Sequence, residues 1–528
     1  MDRQIMAHIE RHFLGPSGEL FRELDLSIRP SRGPSLPSCQ VLLAGLVYLG
    51  MIGSTKTVSK LERVLRNEAT EGQLQVIMGA PPGPIHQHRR VEPPSRWTLY
   101  RLYDALAQGF KRDGLGREIF GGDSLEEALR KLSLSLLIDS APPPPPGAEF
   151  TVDTTDIWAA CRPVSQGKIR SGLFASDPDA RWRKKKKGEL DPDSPFLKGS
   201  SKTDKDADQK LVFGYGGVTV GGTHENYGYV YGFDLIPAND YDVPASLKVM
   251  DALTAGGYQI GEIIGDRGFS QAVKWCNGAR SRGVMPIFDL KLGQGDRDPD
   301  WKGCLVLQGW PYLPQLPKRL WTLLRPGLLA PDAKWKQFRK DAAERDLYAL
   351  LPHGKPAPSA ARVESPLFRN RRLGCPLVPG SMRKRDPKLM PCAGEHGLDE
   401  ACCIRSATFK AEFAPTAYQF PIWGTPAWEK KYAKRTNVER GFSTLKNPDV
   451  IGMSPGLYRM RGRIKMSVLI ACMWVAHNLH LRMVDDGRQQ KGLPRLRSTP
   501  RRRRREQMEQ ALTAMLPFSS PTEASRAP

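Results

Sequence analysis

The sequence predicts an α/β protein: a helical N-terminal domain followed by a larger domain built on a mixed sheet. Three observations carry this. Residues from Ser38 to about Phe110 show apolar spacing of helical period. The run "APPPPPGAEF" then sets five consecutive prolines where no helix can continue. Beyond it the pattern changes to β-type stretches, then to strand, helix and strand in turn. A chain of 528 residues has room for roughly two to four domains and a sizeable core.

The elements follow in order. "SCQVLLAGLVYLGM" reads as a helix, broken by Gly-Ser-Thr before "TVSKLERVLRNE". "SRWTLYRLYDALAQGF" starts a third helix, with Ser95 as its N-cap. Helix, short turn and helix outline a helix-turn-helix DNA reader, with Arg96, Trp97, Tyr100 and Arg101 able to face a groove or phosphates. A plain helical bundle with a basic outer face fits the same pattern. The expected boundaries are a helical domain over 1–140, a stiff linker over 141–147 and a second domain over 148–485. In the second domain, "EFTVDTTDIW", "KLVFGYGGVTV" and "YGYVYGFDLI" read as strands with Gly-rich turns between them. "PASLKVMDALTA" is a helix, "YQIGEIIGD" a strand ending in an acid, "SQAVKWCNGARSRG" a helix and "VMPIFDLKL" a strand. "RWRKKKKG" is a basic excursion between the first two strands, either touching phosphate or running as a solvated loop.

Composition narrows the partners. Lys and Arg number 79 against 56 Asp and Glu, a net charge of +23, which suggests a polyanion. No run reaches about 18 uninterrupted apolar residues, so no membrane span is expected. "MSVLIACMWVAHNLHL" is cut by His477, Asn478 and His480 and reads as a buried helix. The N-terminus lacks a signal-peptide pattern, and nine cysteines without a CxxC pair form no disulfide framework. A reducing cytoplasm fits. Cys375, Cys392, Cys402 and Cys403, with His396 among them, crowd together, but their spacing is not that of a zinc ribbon. The basic tail over 486–528, including "RLRSTPRRRRREQMEQ", is low in complexity and suits salt-sensitive, nonspecific DNA contact.

Carboxylates stand at telling places. Asp153 lies on or just after the first strand, Asp266 ends the fourth, and Glu439 lies on a later helix. Mixed sheets commonly place ligands at strand ends. Two Asp and a Glu gathered there can hold two magnesium ions. Asp153 and Asp156 are three residues apart, so on a regular strand they point to opposite faces and only one can share a site with Asp266. The buried approach through Phe150 and Val152 favours Asp153. In "KYAKRTNVERGFSTLKNPDV", a turn of about 100° per residue sets Tyr432, Arg435, Glu439 and Lys446 on one narrow stripe. Val438, Phe442 and Leu445 form the core-facing stripe beside it. The ordinary reading is an Arg–Glu pair four residues apart plus a solvated Lys, contributing a few tenths of a kcal/mol.

Together "FTVDTT", "IGDRGF" and "YAKRTNVERGFSTLK" resemble the DDE transposases of bacterial insertion sequences. The last segment resembles the group signed Tyr-x2-Arg-x3-Glu-x6-Lys, and "YRMRGRIKMSVLIACMWVAHNLH" resembles the family's final helix. The resemblance covers roughly residues 149–483. It implies a ribonuclease-H-like fold and cut-and-paste transposition, with Asp153, Asp266 and Glu439 as catalytic residues and ligands of two Mg2+ or Mn2+ ions. It further implies that Tyr432, Arg435 and Lys446 bind DNA, that the partners are transposon ends and target DNA, and that a homodimer forms in the synaptic complex of a cytoplasmic, nucleoid-associated bacterial enzyme. Some members hold a flipped base with aromatic residues. Trp423 and Trp428 are candidates for that role, and buried core tryptophan is the competing reading. The 173 positions from Asp266 to Glu439 exceed a minimal fold, so an insertion over about 293–418 is expected. A non-transposing nuclease of the same fold, or a catalytically inactive DNA-binding derivative, are the alternatives.

Overall fold

The computed structural model describes residues 1–13, 24–25, 37–78, 92–111, 124–161, 176–186, 209–223, 228–291, 294, 298–327, 330–369, 373–376, 378–382, 388–389, 400–454 and 457–490. Its centre is one mixed sheet. Strand β1 (Ala148–Trp158) lies between β3 (Gln209–Gly222), antiparallel to it, and β5 (Ile260–Ile264), parallel to it. Strand β4 (Val230–Pro237) pairs with β3, and β6 (Met285–Ile287) runs parallel to β5. The sequence places these five strands well. It misses the sixth. The expected basic excursion contains strand β2 (Arg181–Lys186), which pairs antiparallel with the first half of β3. Trp182 packs its ring 5.2 Å from Phe213, and that apolar contact helps hold a strongly basic strand to the sheet.

β1 has apolar or packed side chains on both faces because both faces are covered. Phe150 and Val152 join one core with Val249, Leu253, Ile263 and Trp275. Ile157 joins another, which contains the N-terminal helices and the last helix. That last helix, Arg463–Gln490, is long and apolar enough to cross a membrane by length and composition, but residues 466–476 are buried among Leu42, Leu46, Val47 and their neighbours. The N-terminal helices Cys39–Met51, Val58–Asn67 and Arg96–Lys111 therefore share a core with the C-terminal end of the larger domain. Ser95 receives the expected cap hydrogen bond from the Thr98 amide at 3.2 Å. Every residue of Cys39–Met51 is buried, whereas Trp97 and Tyr100 stay exposed.

Asn478 explains the "HNL" end of the last helix. Its amide receives the Val230 N–H at 2.9 Å and donates to the Val230 carbonyl at 2.7 Å, satisfying the first residue of β4. His477 bonds the Gly228 carbonyl at 3.0 Å. Gly228 has to be glycine, since a Cβ there would stand 2.3 Å from the Asn437 carbonyl oxygen. The last helix, β4 and the helix bearing Glu439 are thus locked together around one residue.

Between β6 and Pro426 lies a β-rich segment. It holds a three-stranded sheet of Asp298–Trp301, Cys304–Leu307 and Trp310–Tyr312, the helix Asp332–Asp346, and a second small sheet of Leu351–Pro352, Ala360–Glu364 and Ala407–Lys410. Cys375 and Cys402 are buried and Cys403 is exposed. Cys392, His396 and the basic tail beyond residue 490 lie outside the described residues.

Candidate active site

The parallel pairing of β1, β5 and β6 sets the site. Thr151 is in register with Ile264, and Ile264 with Ile287. Asp153 and Asp266 each stand two residues beyond those partners, so they lie at the same level above the sheet. Within β1 the unbroken pairing with β3 from Phe150 to Trp158 keeps the alternation strict. Thr151, Asp153 and Thr155 point to the face covered by the helix Thr436–Lys446, and Asp156 points to the other. Asp156 is buried there.

The charged stripe does not lie on one continuous helix. Pro426–Tyr432 is a helix, Ala433–Arg435 is a 3₁₀ turn, and a new helix runs from Thr436 to Lys446. A 3₁₀ turn advances by about 120° per residue, so the 100° spacing holds only from Arg435 onward. Tyr432 is correspondingly off the stripe. Its ring is 7% exposed and stacks on Trp428 at 5.0 Å and 9°. Glu439 falls in the first turn of its helix. Its carboxylate is 43% exposed and accepts from the Arg435 guanidinium at 2.7 Å. The same guanidinium lies 3.5 Å from Asp153. Lys446 donates to the Thr155 hydroxyl at the far end of the helix. The structure thus links Asp153, Arg435 and Glu439 directly and Lys446 to the same strand through Thr155, while Tyr432 is buried beside them.

Electrostatics bind the acids into one group. Burial pushes the Asp153 carboxyl up to about 7. The Asp266 charge adds to that, the Arg435 charge and the Thr154 N–H oppose it, and Glu439 contributes a further push. Burial alone would lower the Arg435 guanidinium, but Tyr432 and the charges of Glu439, Asp153 and Asp266 outweigh it and hold its pKa raised. Tyr432 is pushed up to about 12 chiefly by burial. Among the described residues no three Asp, Glu, His or Cys side chains already stand close enough to enclose a metal ion. Arg435 sits between two of the three acids and supplies the positive charge there.

Asp266 shows why "GDRGF" reads as it does. Its Oδ1 accepts from the Gly268 amide at 2.7 Å and the Phe269 amide at 3.2 Å. A Cβ on residue 268 would stand 2.9 Å from that oxygen, so glycine leaves the carboxylate room. Arg267 donates to a residue that sequence reasoning missed, Asp289, at 2.9 Å. Asp289 stands two residues beyond Ile287 of β6, the third strand end in the row. It is 1% exposed and also accepts from Arg325 at 2.9 Å, the Trp423 indole at 3.0 Å and the Leu290 amide at 3.0 Å. Only the strand pairing reveals it, since "FDLKL" carries no spacing signal. Trp423 and Trp428 are both buried. The Trp428 indole donates to the Phe288 carbonyl at 3.2 Å and to Gln419 at 3.1 Å, so both rings pack the core beneath the site.

A cleft of about 590 Å³ opens over Asp153, Thr154 and Asp266–Phe269. Its opposite wall is Trp182 and Arg183 of β2 together with residues 238–242 after β4.

No family model matches this chain, and neither does any curated protein. Among solved structures, a cryo-EM structure of a piggyBac transposase synaptic complex with hairpin DNA aligns over 98% of this chain and 80% of that one, at 10% identity and a TM-score of 0.35. At that score the likeness carries no argument for fold or function.

Proposed function

We propose that this chain is a DNA transposase of ribonuclease-H-like fold. It would cut DNA at element ends by phosphodiester hydrolysis and join the freed 3′ hydroxyl to target DNA. One observation carries the reading: Asp153 and Asp266, far apart in sequence, each stand two residues beyond a parallel-paired position on adjacent strands, and Arg435 links Asp153 to Glu439 of the covering helix. The reading rests on this geometry together with the sequence resemblance, and on no matched relative.

The donor set suits divalent magnesium or manganese. All three side chains offer hard oxygen donors, and burial together with the neighbouring Asp266 charge holds Asp153 at about 7. Asp153, Asp266 and Glu439 would hold two ions. When bound, these would activate the attacking oxygen and neutralise charge on the leaving one. Arg435 can grip a phosphate bidentately, and Lys446 acts as a point charge at the other end of the same helix. Without substrate, Arg435 neutralises Asp153 and Glu439, and an entering phosphate competes for it. Tyr432 acts through Arg435, whose guanidinium carbon lies 5.9 Å from its ring centroid.

The test is a matched pair, Asp153→Asn and Asp156→Asn, assayed for magnesium-dependent nicking of end DNA. Only Asp153→Asn should lose nicking, while both variants still bind DNA. Normal cutting by Asp153→Asn, or loss in Asp156→Asn alone, would refute the assignment. A strand-transfer assay with paired ends separates a transposase from a nuclease of the same fold.

A further inference from the structure

The cleft has a second wall that the three acids do not use. Tyr241 is 60% exposed there, an unusual place for a large ring whose neighbours in the chain are Asp240 and Asp242. It belongs to neither hydrophobic core. It stands at the start of the helix Asp242–Ala255 without capping it by its side chain. Facing the same cleft is Arg183 from the edge strand β2, which makes no ion pair among the described residues. Most other cations near the site are paired with acids, Arg435 with Asp153 and Glu439, Arg267 with Asp289, and Lys431 and Lys434 with Glu149, while Lys446 donates to the Thr155 hydroxyl.

We infer that Tyr241 and Arg183 form a nucleotide subsite for the DNA strand flanking the reacting phosphate, with the base stacked on Tyr241 and a backbone phosphate on Arg183. This rests on the function proposed above. An exposed ring and an uncommitted guanidinium on one wall are the two groups that bind a nucleic acid strand irrespective of its sequence, since every base has a π-face and every nucleotide a phosphate. The cleft volume of about 590 Å³ suits a nucleotide-sized ligand. Asp240 and Asp242 on the same wall, with Asp153 and Asp266 on the floor, give the cleft excess negative charge. A strand should therefore enter better when divalent cations are present.

The experiment uses the full chain and a ten-nucleotide single strand carrying 5-iododeoxyuridine, irradiated in calcium, with adducts mapped to peptides. An adduct on Tyr241 is expected. Its yield should fall at least fivefold in Arg183→Ala and fall again without calcium, while adducts elsewhere are unchanged. Absence of the Tyr241 adduct, or an equal yield in Arg183→Ala, overturns the subsite. Because Tyr241 is exposed, Tyr241→Ala should fold normally. In a magnesium nicking assay its KM should rise about tenfold with kcat within twofold, and Tyr241→Phe should match the unaltered protein. Equal loss in Tyr241→Phe would show that the hydroxyl, not the ring, matters, and the stacking role falls. The two readings fail separately. A Tyr241 adduct on a protein that nicks nothing in magnesium or manganese leaves the subsite and removes the transposase. Nicking without the adduct does the reverse.

Discussion

Asp289 and Asp153 occupy matching places and have opposite fates. Each stands two residues past a paired position on one of the parallel strands, with Asp266 between them. Asp289 is buried and saturated: two guanidiniums, an indole and a backbone amide all donate to it. Asp153 is half-buried, its side chain 17% exposed, and has one backbone amide and one guanidinium at 3.5 Å. A buried carboxylate with full countercharge holds structure together. One enclosed beside a second acid, with fewer donors, is pushed up to about 7 and is open to a cation. Under the proposed function, the contrast separates scaffold from chemistry on one sheet.

The contrast breaks first at Asp289. Replacing it with Ala leaves Arg325, which stacks over Trp335, Trp428 and Tyr432, without its acid. Breaking a buried ion pair costs about 3–5 kcal/mol. Because Arg267 is 46% exposed and can be rehydrated, the lower end applies, about 3 kcal/mol. Urea unfolding of Asp289→Ala measures it. A loss under about 1 kcal/mol would mean that the network is ornamental and that Asp289 differs from Asp153 in name only.

Asp153→Asn should do the opposite, and with a pH dependence. The folded-state pKa, about 7, lies above the unfolded value of about 3.9, so the folded protein binds the extra proton between them. Stability from this group is fully present below about pH 4 and is lost as pH rises through about 7. Three units correspond to about 4 kcal/mol at most. Relative to Asp153→Asn, the unaltered protein should therefore lose stability steadily from pH 4 to 7, and magnesium should restore part of it at pH 8. Parallel pH profiles for the two proteins would remove the idea that Asp153 is pushed up in the folded protein.

How much of this was legible in the sequence follows from the same physics. The sheet positions of Asp153 and Asp266 and the five main strands could be read because period-two alternation and the "GDRGF" turn are local signals. Gly268 and Asp266 stand two residues apart and explain each other. Asp289, Tyr241 and Arg183 could not be read. Arg183 and Asp289 reach the site through strand pairing and Tyr241 through the turn after β4, which bring together residues distant in sequence and leave no spacing to count. The stripe was half legible. Its Arg435–Glu439–Lys446 part rides one turn of backbone and one helix. Tyr432 lies beyond a 3₁₀ turn that no side chain announces, since helix propensity continues through "KYAKRTN". Strand β2 was missed for a related reason. Lys-rich segments read as solvated, and only Trp182 hints that one face is held.

The smallest effect sharpens the contrast most. Glu439 is 43% exposed and its pair with Arg435 spans one turn, so Glu439→Gln should change stability by only about 0.3–0.5 kcal/mol. Asp289→Ala should be several times more damaging. On activity the order should invert, because Glu439 shares the Arg435 guanidinium with Asp153, whereas Asp289 is joined to the cleft only through Arg267. Glu439→Gln should fold, bind DNA and lose magnesium-dependent nicking. Its partner gives an independent reading. Arg435→Ala, or Lys446→Ala, should weaken binding to end DNA and reduce the slope of log affinity against log salt by about one for each phosphate contact removed. If the salt slope stays the same and only thermal stability falls, Arg435 and Glu439 are an ordinary helix-surface pair. If Glu439→Gln cuts at the normal rate, the helix supplies no third acid and the site reduces to Asp153 and Asp266.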